Sequence, residues 1–150
     1  PGQIVIWGAR EAVDRAIEIA KAKGIRRALP LPVSAPFHSA LMALAADAMR
    51  EALAAVEMLS PVVPLVCNVT ARPITDAAEI RQRLVEQVTG MVRWTESIQW
   101  LAGEGGVTHL AELGAGKVLA GLAKRIVPDV SAISVGTPAD VDAFVAAIGA

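Results

Sequence analysis

Apolar residues recur at helical spacing along much of the chain. Between Arg10 and Lys23 the apolar positions fall on one stripe and most charged residues lie outside it, so the pattern predicts an amphipathic helix that ends at Gly24. Ser39 is a candidate N-cap for the helix that follows it. The same spacing predicts further helices at residues 39–57, 76–89, 95–102, 117–127 and 139–148.

Short β-rich runs lie between these helices. They predict strands at residues 3–7, 26–32, 62–69, 108–113 and 131–135. Because Pro30 and Pro32 cannot donate hydrogen bonds to a ladder, the 26–32 strand is expected at a sheet edge. Strands that alternate with helices at this spacing indicate an α/β fold with a mostly parallel sheet.

Composition narrows the function classes. A formal net charge of -1 gives no basic surplus for neutralising phosphates, so we expect no nucleic acid partner. No apolar run reaches the roughly 20 residues that a membrane-spanning helix needs, so no membrane association is expected. Cys67 is the only cysteine in the chain and cannot form an internal disulfide, which indicates a reducing, cytoplasmic location.

The segment PVSAPFHSALM, residues 32–42, carries one of only two histidines. His38 has two interpretations: a proton-transfer group, or a polar residue that satisfies the start of a helix. Pro36 restrains Ala35 to extended backbone, and Ser39 is expected to supply the cap. These features favour an imidazole that is free to face a cleft, although both interpretations stay open from the residues alone.

The glycine-rich segment LGAGKVLAGL, residues 113–122, suggests an anion-binding loop between a strand and a helix. The phosphate-loop pattern fails, because it needs glycine in place of Ala111 and a hydroxyl in place of Val118. The dinucleotide pattern fails as well, since Gly121 comes too late. The alternative is a tight strand-to-helix turn with close packing on the sheet at Gly121.

The remaining polar and sulfur-bearing candidates favour structural roles. His109 lies inside a predicted strand, and Cys67 is expected to be inert packing. No group of His, Cys, Asp and Glu shows ligand spacing, so no metal site is predicted. The basic residues Lys21, Lys23, Arg26 and Arg27 form either a solvated helix end or a surface for an acidic partner.

Several motifs together resemble one family. LPVSAPFHSALM, PLVCNVTARPI, LVEQVTGMVRWTESI and HLAELGAGKVLAGLAKRI occur in the order found in the C-terminal half of bacterial malonyl-CoA:acyl carrier protein transacylases, and PGQIVIWG resembles the family's ferredoxin-like subdomain. The resemblance implies part of an α/β-hydrolase-like acyltransferase core with a mostly parallel sheet, at residues 33–150. It also implies the second half of the ferredoxin-like subdomain, at residues 1–32.

The resemblance also implies chemistry. In the family a serine attacks the malonyl thioester of coenzyme A, a histidine takes its proton, and the phosphopantetheine thiol of acyl carrier protein collects the malonyl group. His38 matches that histidine, and Gln87 matches the glutamine whose main-chain carbonyl orients it. Phe37 matches a residue whose bulk favours malonyl over branched acyl groups. No bound cofactor is implied, because the coenzyme A thioester is a substrate.

The departures from the family are equally informative. No G-x-S-x-G motif is present, so the nucleophilic serine is expected in a missing N-terminal half. Trp7 stands where a small residue is expected, and Gly90-Met91 replaces a more common proline beside Gln87. The leading hypothesis is an acyltransferase that is incomplete in this chain alone. The alternatives are a non-catalytic module that binds carrier protein and, third, a nucleotide-binding domain.

Overall fold

A computed structural model describes residues 3–149, so the predictions that touch Pro1, Gly2 and Ala150 fall outside the described residues. The described chain forms two compact units, residues 3–93 and residues 94–149. Each unit combines helices with a two-stranded sheet, which confirms the α/β class. No helix among the described residues is long and apolar enough to span a bilayer.

The first unit is mainly helical. Its elements are α1 (Arg10–Ala22), a 3-10 helix (Ala40–Met42), α2 (Ala43–Ala54), β1 (Leu65–Cys67), β2 (Arg72–Ile74) and α3 (Ala77–Thr89). Helix α3 begins after Asp76, whose Oδ1 accepts from the Glu79 N–H at 2.7 Å. Helices α2 and α3 pack against each other. Strands β1 and β2 pair antiparallel, and their Cys67 and Ile74 form a small core with Ile80 of α3.

The second unit carries the parallel sheet. Its elements are α4 (Trp94–Ala102), β3 (His109–Leu113), α5 (Val118–Ile126), β4 (Ser131–Val135) and α6 (Pro138–Ile148). Strands β3 and β4 pair in parallel, with His109 opposite Ser131, and α5 provides the crossover that a parallel pair needs. Small residues of α5, Ala120 and Ala123, pack with Ile98 of α4 and Ala132 of β4 in the buried core.

The predicted helices are confirmed with small shifts at their ends, except that residues 39–57 divide into the 3-10 helix and α2. Two predicted strands are wrong, because residues 3–7 and 26–32 have no regular structure. A strand is held by hydrogen bonds to a neighbour, and no segment within residues 3–149 pairs with either run. Most of their apolar side chains are exposed, and Ile4 is 89% accessible.

The structure also differs from the prediction at residues 62–74. The predicted strand at 62–69 is reduced to Leu65–Cys67, and the chain then turns back to form β2, which the sequence pattern did not indicate. Ala71 makes this turn with a positive φ of 54°, and its N–H donates to the Cys67 carbonyl at 2.7 Å. The mostly parallel character predicted for the sheet therefore holds for the second unit and not for the first.

Candidate active site

The His38 backbone lies in the left-handed region, with a φ of 55°. A residue with a Cβ pays about 1–2 kcal/mol for this conformation, although histidine adopts it more often than most side chains. The Ser39 hydroxyl closes the turn by donating to the Pro36 carbonyl at 2.7 Å. The prediction that Ser39 caps the following helix is therefore wrong, because its hydroxyl bonds backward and makes no cap hydrogen bond.

The end of α3 provides an acceptor for the imidazole. Since α3 ends at Thr89 and Gly90 is extended, the Gln87 carbonyl lies in the last turn, where carbonyls lack partners within the helix. His38 Nδ1 lies 3.0 Å from this oxygen. A carbonyl only accepts, so Nδ1 carries a proton, and in the neutral ring Nε2 keeps a lone pair. The predicted His38–Gln87 contact is present; the catalytic roles of the two residues stay predictions.

The Gln87 side chain lies at the same nitrogen. Its Nε2 is 3.2 Å from His38 Nδ1 and 3.4 Å from the Gly90 carbonyl, whereas its Oε1 is buried and has no partner among the described residues. Two N–H donors cannot bond to each other. The amide Nε2 therefore donates to the Gly90 carbonyl, and its approach to Nδ1 is a close contact between two donors.

One aromatic ring borders the imidazole, and a second packs against that ring. The Trp7 ring meets His38 at a centroid distance of 6.2 Å and an angle of 65°, and it meets Phe37 at 5.9 Å and 85°. Trp7 is half-buried, whereas Phe37 is exposed. Sequence reasoning noted Trp7 as unusual but did not bring it to His38, because the two residues are far apart in the chain. The selectivity role of Phe37 stays a prediction.

His38 Nε2 makes no hydrogen bond within residues 3–149, so it is the free proton acceptor of this cluster. The second histidine is engaged: His109 Nδ1 lies 2.9 Å from the Thr108 hydroxyl, at the start of β3. Cys67 is buried in the core of the first unit. The part of the chain that the structure describes contains no group of three or more His, Cys, Asp or Glu that could hold a metal ion.

The glycine-rich turn before α5 is closed by the chain's own carboxylate. Glu112 accepts from the Leu119 N–H at 3.1 Å and from the Ala120 N–H at 2.9 Å. The Ala120 hydrogen bond is the main cause that holds the pKa of Glu112 below its ordinary value. Because this carboxylate occupies the place that a phosphate would take at the helix N-terminus, the geometry argues against nucleotide binding here.

Two glycines, Gly90 and Gly121, stood out in the sequence. A Cβ on Gly90 would lie 2.8 Å from both the Glu86 carbonyl oxygen and a Val69 methyl carbon, so glycine lets the end of α3 approach the turn between β1 and β2. Gly121 has nothing within 4 Å of such a Cβ, so the close packing predicted there is wrong. The chain after Gly90 is attached to the same turn, since the Arg93 N–H donates to the Asn68 carbonyl at 2.9 Å.

Comparison with known proteins gives a consistent result. The chain is 50% identical over 143 residues to the malonyl CoA-acyl carrier protein transacylase of Salmonella typhimurium, covering 95% of this chain and 46% of that protein. It superimposes with a TM-score of 0.88 on the acyl-carrier-protein-S-malonyltransferase of Bartonella henselae, at 50% identity, over 93% of this chain and 44% of that one.

A further solved structure is a malonyl-transacylase in complex with its type II polyketide synthase acyl-carrier protein. It matches 94% of this chain and 45% of its own length, with a TM-score of 0.84 and 43% identity. No family model matches the chain. The resemblance drawn from the sequence motifs is confirmed, and the chain spans a little under half the length of the relatives it matches.

Proposed function

We propose that this chain is part of a malonyl-CoA:acyl carrier protein transacylase, in which His38 is the general base and Gln87 orients it. One observation carries the proposal: Nδ1 of His38 lies 3.0 Å from the Gln87 carbonyl oxygen, which leaves Nε2 as the free base. The similarity to malonyl transacylases over 95% of the chain supports it. The serine nucleophile comes from the other half of the protein, because this chain has no G-x-S-x-G motif.

The reaction has two steps, and His38 moves a proton in each. Nε2 takes the serine hydroxyl proton as the oxygen attacks the malonyl thioester carbon, the C–S bond breaks, and the proton passes to the departing coenzyme A thiolate. In the second step Nε2 takes the proton of the phosphopantetheine thiol, which attacks the malonyl ester. The ester C–O bond breaks, and the serine oxygen recovers the proton from Nε2. No cofactor takes part, and Phe37 restricts the site to unbranched malonyl.

The finer architecture also belongs to this proposal. Residues 33–150 are part of an α/β-hydrolase-like core, and residues 1–32 are part of a ferredoxin-like subdomain. Exposed apolar side chains support a missing partner surface: Ile4 is 89% accessible and Leu29 is 65% accessible, on the two runs that lack a strand neighbour. The lone Cys67 supports assignment of the reaction to the cytoplasm.

The carrier protein is proposed to dock on the basic surface, defined as Lys21, Lys23, Arg26 and Arg27. All of these residues are exposed, and Lys21 also pairs with Glu18 at 2.8 Å. The malonyl-transacylase solved in complex with its acyl-carrier protein supports a carrier partner. A second candidate function rests on the same observations: a non-catalytic module that binds acidic carrier protein without transferring malonyl.

Reconstitution tests the catalytic proposal. The chain is combined with the serine-bearing half, and malonyl transfer from coenzyme A to holo carrier protein is followed. We expect transfer only when both parts are present, with loss in His38→Ala. Full activity of His38→Ala would refute the role of His38. Carrier binding without any transfer by the combined wild-type parts would favour the non-catalytic module.

Charge reversal tests the docking surface. Arg26→Glu with Arg27→Glu should raise the KM for carrier protein and leave the KM for malonyl-CoA unchanged, because only the carrier meets this surface. Arg10→Glu, at the other end of α1, is the matched control. The effect should weaken as salt rises and the Debye length shortens. An equal KM for carrier protein in the double variant and the control would contradict the assignment.

A further inference from the structure

The His38 side chain is held at two places. Its backbone is fixed by a left-handed turn that the Ser39 hydroxyl closes, and its Nδ1 is fixed by the Gln87 carbonyl. A hydrogen bond fixes the position of one ring atom but lets the imidazole rock about it. Because Nε2 is separated from Nδ1 by one ring carbon, such rocking displaces Nε2. A general base needs that atom within about 3 Å of the proton it takes.

Trp7 packs against the His38 imidazole, whose rocking the hydrogen bond to Gln87 does not prevent. Its indole meets the imidazole at 6.2 Å and 65°, within the range of edge-to-face aromatic packing, and it meets Phe37 at 5.9 Å and 85°. Trp7 belongs to neither buried core cluster, so its ring contacts lie with His38 and its neighbour. Trp7 lies in a segment without regular structure, so no β-sheet hydrogen bonds determine where its side chain lies.

We propose that Trp7 is a positioning residue that stops the His38 imidazole from rocking and so keeps Nε2 directed at its proton donor. The kinetic consequence rests on the proposed function, whereas the effect on the ring does not. The residue acts through His38 and does not itself touch the reacting atoms. Phe37 also packs against the indole, so the imidazole, the indole and the phenyl ring form one series of contacts.

Kinetics of the complete protein provide the first test. Trp7→Leu should lower kcat by about 10- to 100-fold, because a displacement of about 1 Å at a reacting group costs on this order. The KM for malonyl-CoA should stay within about twofold, since ground-state binding is unaffected. Trp7→Phe keeps an aromatic edge and should recover most of the lost kcat. Trp100→Leu is the matched control, because Trp100 lies in the other unit and bonds Glu104.

15N NMR of the His38 imidazole provides the second test. The 15N-histidine is incorporated only into this chain of the complete protein. Wild type should show one protonated and one bare nitrogen for His38, as the Gln87 contact requires. In Trp7→Leu the same tautomer should persist, because the Gln87 carbonyl still holds the Nδ1 proton, but the Nε2 signal should shift and broaden as the ring samples several orientations. His109 is the internal reference, and its signals should not change.

The outcomes separate the two proposals. Unchanged His38 signals and unchanged kcat in Trp7→Leu would overturn the positioning role. Loss of the His38 and His109 signals together would also overturn it, because it would show a general structural role for Trp7. If wild type transfers no malonyl but Trp7→Leu still changes only His38, the proposed function fails and the positioning role stands.

Discussion

Two loops of this chain each lead into a helix. They differ in whether their polar groups are already hydrogen bonded. Residues 33–39 lead into the 3-10 helix, and residues 114–117 lead into α5. The second loop has the richer sequence motif, yet Glu112 of the preceding strand already fills the helix N-terminus with hydrogen bonds to Leu119 and Ala120. The first loop has no phosphate-binding pattern, yet it keeps one reactive atom, Nε2 of His38, without a partner among residues 3–149.

Backbone conformation separates the loops as well. In the second loop the positive φ angles belong to Gly114 and Gly116, at 120° and 119°, where glycine meets no steric penalty. In the first loop the positive φ belongs to His38, which has a Cβ and pays for the conformation. Strain that is retained on a chemically useful side chain is typical of functional sites. The strained histidine with a free ring nitrogen is therefore a better candidate for a functional group than the glycine-rich turn, whose helix N-terminus is already filled.

Replacing each histidine by glutamine should give the largest difference in activity between the two loops. In the reconstituted protein His38→Gln should lower kcat/KM by about 100- to 10,000-fold, the range that general-base removal produces. His109→Gln, the control in the second unit, should leave kcat/KM within about twofold, because within residues 3–149 the His109 side chain bonds only its neighbour Thr108. Steady-state malonyl transfer measures both. Equal losses in the two variants would remove the distinction between the loops.

Adding a methyl group at Gly90 should damage the first loop through its acceptor. Gly90→Ala places a Cβ 2.8 Å from the Glu86 carbonyl oxygen and from a Val69 methyl carbon. Overpacking of this kind costs about 1–3 kcal/mol of unfolding free energy, and the shift should move the Gln87 carbonyl away from His38. Denaturant unfolding and malonyl transfer measure the two effects.

Gly121→Ala is the matched control for that substitution. It lies inside α5 with open space around its Cβ, so it should raise the unfolding free energy by about 0.5–1 kcal/mol. Destabilisation by both substitutions, to the same extent, would show that the contacts at Gly90 have no special role.

The Glu112 carboxylate, which closes the second loop, should make the unfolding free energy of the protein depend on pH. Since the folded-state pKa of Glu112 lies below its ordinary value of 4.5, its contribution is present above that pH and is lost as the pH falls below it. Glu112→Gln should therefore melt below wild type at neutral pH, with the difference shrinking as the solution is acidified past pH 4.5. A difference that is constant down to low pH would contradict the capping role.

Nucleotides should have the smallest effect of all. With the helix N-terminus filled by Glu112, ATP and NAD should leave the melting temperature of the wild-type protein unchanged. Thermal unfolding with and without each ligand measures this directly. A rise in melting temperature with ligand concentration would restore nucleotide binding as a function of the second loop.

The amphipathic helices could be predicted from the sequence because their signal is local. The Asp76 start of α3 and the Gly24 end of α1 follow from side chains within one turn of the boundary. The runs at 3–7 and 26–32 were predicted wrongly because β propensity does not reveal whether a pairing neighbour exists. Strand β2 was missed because it depends on the turn that Ala71 makes at a positive φ.

The site was predicted only in part. His38 could be singled out from its setting between Pro36 and the helix start predicted at Ser39, but its pairing with Gln87 came from the family resemblance and not from any local pattern. The contact between Trp7 and His38 could not be predicted, because it depends on how an irregular segment folds back. Glu112 was missed for a similar reason, since it closes a helix from the preceding strand and not from the usual N-cap position.

The central claim is that His38 of this chain takes the proton of a serine that another part of the protein provides. Rapid mixing of the reconstituted protein with malonyl-CoA, followed by acid quenching and mass spectrometry of both parts, measures that step before carrier protein is involved. We expect a malonyl adduct to accumulate rapidly on the serine-bearing half with the wild-type chain, and only slowly with His38→Gln. Equally rapid adduct formation in both, or an adduct on this chain, would contradict the account.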